Sequence, residues 1–307
     1  MPELPEVQTT VGGILRKARG KKVLGVWTDY SSNLPRFKNT IKNSGHFAQL
    51  KKSTIGATIV SARRMGKYII IDLSNNTHLI IHMKMTGHIM YGAYTHDTKN
   101  NVWRPTDTNP KHPLNDPFNK FIHCVFSLSD GNCLVLSDMR KFGVVVHTTQ
   151  ENLHKHIPQL GPDPLEKSFS AQTLHERLLL SPNKPIKAVL LDQEIIAGVG
   201  NIYADESLWR AHIHPLSTPK HIPHSALEKL HEALVSTLRK GIDFGGDSMS
   251  DYRNIDGERG KFQEHHRAYR KTKLPCELPN CTGTITRITV TSRGTHFCSK
   301  HQILFGK

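Results

Sequence analysis

An α+β chain in three parts is what the sequence predicts, on three observations. Short β-type runs at close spacing fill the region before about residue 150, helical patterns replace them afterwards, and three of the five cysteines gather near the C-terminus beside a histidine. Many short strands parted by turn residues argue for a sandwich or a barrel, and the change of period marks a change of domain. The expected divisions are an N-terminal β-sandwich over 1–149, a helical domain over 150–271 and a small metal-holding module over 272–307.

The elements justify that division in order. Val7, Val11, Ile14, Leu15 and Ala18 recur at helical spacing, so 3–18 is a helix. Strands are expected at Val23–Trp27, Ile55–Ala62, Tyr68–Leu73, His78–Met83, Ile122–Leu128, Cys133–Ser137 and Gly143–His147, with Asn75-Asn76 and Asp130-Gly131 as turns. The polar stretch 93–120 reads as a long surface loop. Helices are expected at Ala171–Leu180, Ile186–Leu191 and Tyr203–His212. A fourth opens on a Ser225/Glu228 capping box and stops at Gly241. The Gly-, Asp- and Ser-rich run after it has little periodicity and reads as a mobile loop over 245–260.

The totals narrow the function. A formal charge of +15 over 307 residues favours a polyanionic partner, with DNA or RNA ahead of an anionic membrane. No apolar run approaches the ~18 residues needed to cross a bilayer. MPELPEVQTT carries acids where a signal peptide needs basic and then apolar residues, so a cytoplasmic protein is expected. Cys124 and Cys133 lie in apolar alternating runs and read as reduced core residues.

The remaining cysteines have metal-ligand spacing. Cys276 and Cys281 form one close pair, Cys298 and His301 another, and sixteen residues separate them. Two such pairs converge on one tetrahedral zinc, and four protein ligands make a closed, structural site. Thr284–Val290 alternates and is expected to form a ribbon strand, with Ser292-Arg293-Gly294 as the hairpin turn that brings Arg293 to a phosphate.

PELPEV at the N-terminus, GVGNIYADESLWRAHIHP at 198–215 and RGTHFCSKHQ at the end together resemble the formamidopyrimidine-DNA glycosylases in order and spacing over nearly the whole chain. The resemblance implies a β-sandwich, a helix–two-turn–helix domain and a C-terminal zinc finger with one structural Zn2+. It further implies a monomeric, nucleoid-associated base-excision-repair enzyme. Such an enzyme removes 8-oxoguanine and formamidopyrimidines from double-stranded DNA and then cuts at the abasic site. PELPE rather than PEGPE resembles the purine-specific branch. An endonuclease VIII-type pyrimidine glycosylase and a non-catalytic binder of damaged DNA are the alternatives. His301 stands where the family usually has Cys, Lys141 where it usually has Arg, and the 93–120 loop is longer than usual.

The resemblance also assigns residues, and elementary chemistry supports several. With Met1 removed, Pro2 presents a secondary amine, and an α-amine with pKa about 7.7–8.0 is partly neutral at cellular pH. Such an amine attacks C1′ and forms a cationic Schiff base, which permits β- and then δ-elimination. The plainer role for Pro2 is to start the first helix. Glu3 is the expected general acid at the sugar oxygen. Glu6, one turn on, is the expected support; both also complement the helix dipole. By resemblance Lys67, counted with the catalytic set, and His82 meet phosphates, Met85 and Phe142 fill the gap left by an extruded base, and Arg140 and Lys141 beside Phe142 contact the DNA. Asn201 and Arg293 grip flanking phosphates, Arg293 being counted with the catalytic set, and Lys187 lies near the site. Ser248 and Ser250 in the 245–260 loop read the oxidised purine.

Overall fold

The computed structural model describes residues 1–32 and 34–306. They form two compact units, one of residues 1–158 with 244–261 and the other of residues 159–243 with 262–307. Segment 244–261 therefore groups with the first unit, not with the helices over 150–271 as the sequence implied. Its partners explain this: Tyr91 N–H donates to Ile255 O at 2.8 Å, and Ile255 belongs to the core of that unit. Residues 272–307 likewise belong with the helices rather than standing apart.

The first unit opens with helix α1 (Leu4–Lys17) and holds two four-stranded antiparallel sheets. One runs β1 (Val23–Thr28), β8 (Ile122–Leu128), β9 (Cys133–Ser137), β5 (His88–Gly92); the other runs β10 (Val144–Thr149), β4 (Thr77–His82), β3 (Tyr68–Leu73), β2 (Ile59–Met65). Their facing side chains, with Val7, Val11 and Ile14 of α1, make one core. Strand alternation sends Leu134 and Leu136 of β9 into it. Cys133 and Val135 point the other way, into a second cluster with Met90, Val125, Tyr94 and Leu114. Because β9 is covered on both faces, its sequence is a continuous apolar run rather than an alternating one. Cys124 and Cys133 are both buried and unpaired.

Three stretches differ from expectation. Residues 44–54 form helix α2 (Ser44–Thr54), capped by Asn43 accepting from His46 N–H, and this moves the start of β2 from Ile55 to Ile59. Strand β5 follows too closely on the turn after β4 for a separate apolar period to show. The 93–120 stretch is not an open loop: it holds a hairpin of β6 (Tyr94–Asp97) and β7 (Val102–Pro105), then 3₁₀ turns at Pro113–Asn115 and Pro117–Lys120. Its Tyr94 and Leu114 cover the outer face of β8, β9 and β5.

The second unit contains α4 (Ala171–Leu178), α5 (Ile186–Leu191), α6 (Asn201–Arg210) and α7 (His224–Asp243), after a short α3 (Leu153–His156) that ends the first unit. Pro223 precedes α7 and helix begins at His224, so Ser225 lies inside it rather than at the N-cap; Glu228 approaches His224 at 3.5 Å. The helix also runs through Gly241, which is buried, to Asp243. Two strands, β11 (Ile285–Val290) and β12 (Arg293–Cys298), pair as a hairpin. The turn is Thr291-Ser292, both at positive φ of 45° and 60°, as a two-residue hairpin turn requires. Arg293 thus begins β12 rather than sitting at the tip.

Within α1 the two adjacent glycines face different surroundings. A Cβ on Gly13 meets Ile255 at 2.5 Å, whereas one on Gly12 meets only the mobile end of Arg16 at 3.6 Å. Gly12→Ala is expected to stabilise the protein by about 0.4–1 kcal/mol through helix propensity. Gly13→Ala is expected to cost about 1–3 kcal/mol by overpacking. Thermal melts that rank the two variants the other way would contradict the placement of Ile255.

Candidate active site and nucleic-acid interface

Three residues of the N-terminal motif converge at the start of α1. Glu3 is the N-cap, Leu4 is the first helical residue and Pro5 lies in the first turn, where its missing N–H breaks no helical bond, leaving Pro2 just outside the helix. Pro2 therefore has no part in starting it. Glu3, 3 % exposed, and Glu6, 1 % exposed, are joined in a capping box, with Glu3 N–H donating to Glu6 Oε2 at 2.7 Å. The other Glu6 oxygen accepts from Asp247 N–H at 2.8 Å. The Glu6 carbonyl accepts from Tyr252 Oη at 3.1 Å and from Thr10 Oγ1 at 2.8 Å. One glutamate thus holds both the first turn of the helix and the base of the 245–260 loop. Gly246 is required beside it: its φ is +87°, and a Cβ there meets Glu6 Cγ at 2.9 Å.

Lys67 is buried at the tight turn between β2 and β3. Arg64 Nε on the same strand donates to Gln8 Oε1 of α1 at 3.0 Å, which draws this turn toward the start of the helix. His82 ends β4 and is partly buried. Burial, with the positive charges of Lys84 and Lys67, holds its imidazole down to about 3, so the ring is neutral at physiological pH. Its Nδ1 accepts from Lys84 N–H at 3.0 Å, which places the ring proton on Nε2 as a donor.

Met85 and the Arg140–Phe142 turn are brought together by a residue that sequence reasoning missed. Asp138 is fully buried and accepts from Thr86 Oγ1, from Tyr30 Oη at 3.2 Å and from Gly143 N–H at 2.6 Å. Thr86 Oγ1 in turn accepts from Arg140 N–H at 3.1 Å. Both turns are therefore organised around one carboxylate. Phe142 is 46 % exposed, with the Arg140 guanidinium 4.5 Å from its ring centroid. Lys141 has φ +55° and its Nζ lies 3.0 Å from Asp29, so its charge is paired within the protein. Nothing in the pattern SDMRKFG marks Asp138 as a buried hub; only the three-dimensional return of the chain does.

The 245–260 loop is bonded through its own side chains. Ser248 is fully buried; its hydroxyl donates to Tyr252 O at 2.7 Å and accepts from Gly260 N–H at 2.8 Å. That side chain holds the loop together and is not presented for contact. Met249 and Ser250 are the exposed residues at the tip.

In the second unit, Asn201 begins α6 and its Nδ2 donates to Gly294 O at 3.0 Å, so Asn201 and the residue after Arg293 touch. Arg293 itself is exposed. Lys187 is completely buried and ion-paired with Asp205, which also accepts from His296 N–H at 3.0 Å. Lys187 is thus committed to joining α5, α6 and β12. Next to Asp205, buried Glu206 accepts from the N–H groups of Arg267, Ala268 and Tyr269 at 2.9, 2.9 and 2.8 Å. These two acids in the YADES run position the hairpin and its approach, a role sequence reasoning did not assign.

The four ligand candidates also converge. Among the described residues, one donor atom from each of Cys276, Cys281, Cys298 and His301 lies within 4.8 Å of the others. Cys276 Sγ is 3.3 Å from His301 Nδ1, and Cys281 Sγ is 3.6 Å from Cys298 Sγ. Bonds of about 2.0–2.3 Å at tetrahedral angles give ligand separations of this order. His301 Nε2 is 3.1 Å from Trp209 O, a bond that turns Nδ1 toward the thiols.

Comparison with known proteins agrees with this arrangement. Residues 1–145 match the formamidopyrimidine-DNA glycosylase N-terminal domain and residues 160–253 match the formamidopyrimidine-DNA glycosylase H2TH domain. The chain belongs to the formamidopyrimidine-DNA glycosylase family. A formamidopyrimidine-DNA glycosylase of Bacillus subtilis is 34 % identical over 304 residues, covering 98 % of this chain and 99 % of the relative. One from Chloroflexus aurantiacus is 34 % identical over 303 residues, covering 99 % and 98 %. Among solved structures, a mutant Lactococcus lactis Fpg in complex with Fapy-dG-containing DNA is similar, with a TM-score of 0.79 and 32 % identity over 98 % of this chain and 99 % of that one. The Lactococcus lactis Fpg complex with abasic-site DNA has a TM-score of 0.79 at 31 % identity, with the same coverage of both chains. The formamidopyrimidine-DNA glycosylase H2TH match ends at Arg253, inside the 244–261 segment that packs with the sandwich.

Proposed function

We propose that this chain excises oxidised purines, 8-oxoguanine and formamidopyrimidines, from duplex DNA and then cleaves the strand, with the amine of Pro2 as nucleophile. The observation that carries the reading is the placing of Pro2 outside the helix, immediately before the Glu3–Glu6 capping box. In the reaction, the neutral Pro2 amine attacks C1′ as the bond to the damaged base breaks, and the proton released from the amine nitrogen passes to the departing base. Glu3 protonates the sugar ring oxygen as the ring opens. The resulting iminium cation acidifies C2′, so loss of a C2′ proton expels the 3′ phosphate, and loss of the C4′ proton through the conjugated iminium then expels the 5′ phosphate. Glu6 fixes the geometry of the first turn, with each carboxylate oxygen accepting from a backbone N–H.

The other residues bind. Lys67 and His82 Nε2–H serve as phosphate donors on the sandwich, and Asn201 with Arg293 serves on the α6–hairpin side. Exposed Phe142, stacked under Arg140, and Met85 fill the space left by the extruded base, a role suited to apolar wedges. Lys141 is held by its pair with Asp29 and fixes the turn rather than contacting a base, and Lys187 acts only by holding α6 and β12. Met249 and Ser250 at the exposed loop tip replace Ser248 as the side chains that meet the base. Cys276, Cys281, Cys298 and His301 hold one Zn2+, which fixes the hairpin carrying Arg293. Among the described residues no helix is long and apolar enough to cross a membrane, and we place the enzyme on DNA in the cytoplasm.

Borohydride reduction during reaction with an 8-oxoguanine·C duplex is expected to leave a covalent protein–DNA adduct, absent in Pro2→Ala. An adduct of equal yield in that variant would refute Pro2 as the nucleophile. Arg293→Ala and Asn201→Ala are expected each to weaken DNA binding by about 1.5–3 kcal/mol, the cost of a charge-assisted hydrogen bond. The effect should be equal for specific and random duplexes, and unchanged affinity in both variants would remove the phosphate grip. Cys276→Ala is expected to lose about one zinc per chain by metal analysis, while His301→Cys keeps it; full zinc in Cys276→Ala would contradict the ligand set.

A further inference from the structure

The 113–121 segment touches the 244–261 segment at several independent points. Arg253 is buried, with its side chain 3 % exposed, and its Nε lies 3.0 Å from Asp116 Oδ2. Its guanidinium carbon is 4.9 Å from the Phe118 ring centroid, and its Nη1 donates to Ser250 O at 3.0 Å and Tyr252 O at 2.8 Å. Asn119, 1 % exposed, donates to Gly257 O at 3.1 Å and to Pro113 O at 2.8 Å. Its Oδ1 faces His88 Nε2 of β5 at 2.9 Å, which roots the contact in the sheet. Gly257 has φ +82°, and any Cβ there lies 3.0 Å from Asn119 Nδ2 and Leu114 Cδ2, so the fit is close on both sides.

A segment with four glycines in seventeen residues, 244–260, and few apolar side chains has little of its own to hold it in one shape. Here an arginine charge is buried inside it, and its neutralising carboxylate comes from the other segment. Removing that carboxylate leaves a buried cation that must reach water, and the cheapest way is for the loop to open.

We propose that residues 113–121 are a clamp that holds the 245–260 loop in its working conformation before DNA arrives. Arg253, Asp116 and Asn119 are then positioning residues for base excision. The inference rests on the glycosylase reading above, because that reading assigns the loop tip to the extruded base. A loop ordered in advance does not have to be ordered at the expense of lesion binding, so the clamp acts on the step that needs the base in its pocket. The elimination steps follow after the base has left and do not use the loop tip.

Hydrogen exchange on the full-length protein without DNA, together with single-turnover kinetics, tests this. In the unaltered protein the amides of 250–258 are expected to exchange slowly. In Asp116→Ala they are expected to exchange at least about tenfold faster, with the strands unchanged. Asn119→Ala provides a second variant that leaves the Arg253–Asp116 pair intact and no buried charge unpaired, and Arg253→Met with Asp116→Asn removes the charge pair together. Excision from an 8-oxoguanine duplex is expected to slow by about tenfold in the first two variants, while cleavage of a preformed abasic site stays within about twofold. Unchanged loop exchange in both variants overturns the clamp, and so does an equal slowing of the two reactions. Inactivity of the unaltered protein on both substrates refutes the glycosylase reading instead, and the exchange data still decide the clamp.

Discussion

A buried carboxylate must be met by donors, and in this protein the donors chosen for Glu6 set much of the first unit. Leaving such a group unpaired costs several kcal/mol, so its two oxygens act as fixed points for whatever backbone supplies the N–H groups. One donor comes from Glu3 at the N-cap and the other from Asp247, more than two hundred residues later. The first fixes the direction in which the chain enters α1, and hence where Pro2 lies. The second pins the start of the loop that would meet the base. Pro2 and the loop proposed to read the base are thus registered to each other through a single side chain.

The same device recurs with other acids. Asp138 ties the turn carrying Met85 to the turn carrying Phe142. Asp205 joins Lys187 to the β12 hairpin, and Glu206 gathers three consecutive backbone N–H groups of 267–269. In a chain with an excess of cations for DNA, a share of the acids is held inside. There they are paired and organise loops, and they do not oppose the positive surface.

This division explains what was legible in the sequence. Strands such as Tyr68–Leu73 and Ile122–Leu128, and helix Ile186–Leu191, follow from apolar period and turn residues and lie where that period puts them. The four metal-ligand candidates follow from spacing along the chain, because each close pair occupies one turn. Helix α2 was missed because its apolar stripe is thin, with only Leu50 and Thr54 buried. The 93–120 stretch was misread because its polar outer residues hide the few that pack, Tyr94 and Leu114. Asp138, Asp205, Glu206 and Arg253 leave no local signal at all. A buried charge is recognisable only from its partner, and each of these has a partner distant in sequence or on another element: Tyr30 and Thr86 for Asp138, Lys187 for Asp205, residues 267–269 for Glu206 and Asp116 for Arg253. Ser248 shows the converse: a hydroxyl in a loop that read as a contact residue is spent on the loop's own backbone.

The double-sided burial of β9 has a consequence for anyone who would shorten the protein. The 93–121 stretch has the composition of a surface elaboration, and its removal looks harmless on paper. Yet its Tyr94 and Leu114 shield Met90, Val125 and Val135, all of which are apolar and fully covered. Trimming the stretch would convert an interior sheet face into a flat, greasy exterior one, the kind of surface that drives chains to stick to each other. A minimal version of this fold would need those outward positions on β5, β8 and β9 recoded to polar residues before the stretch could be dispensed with.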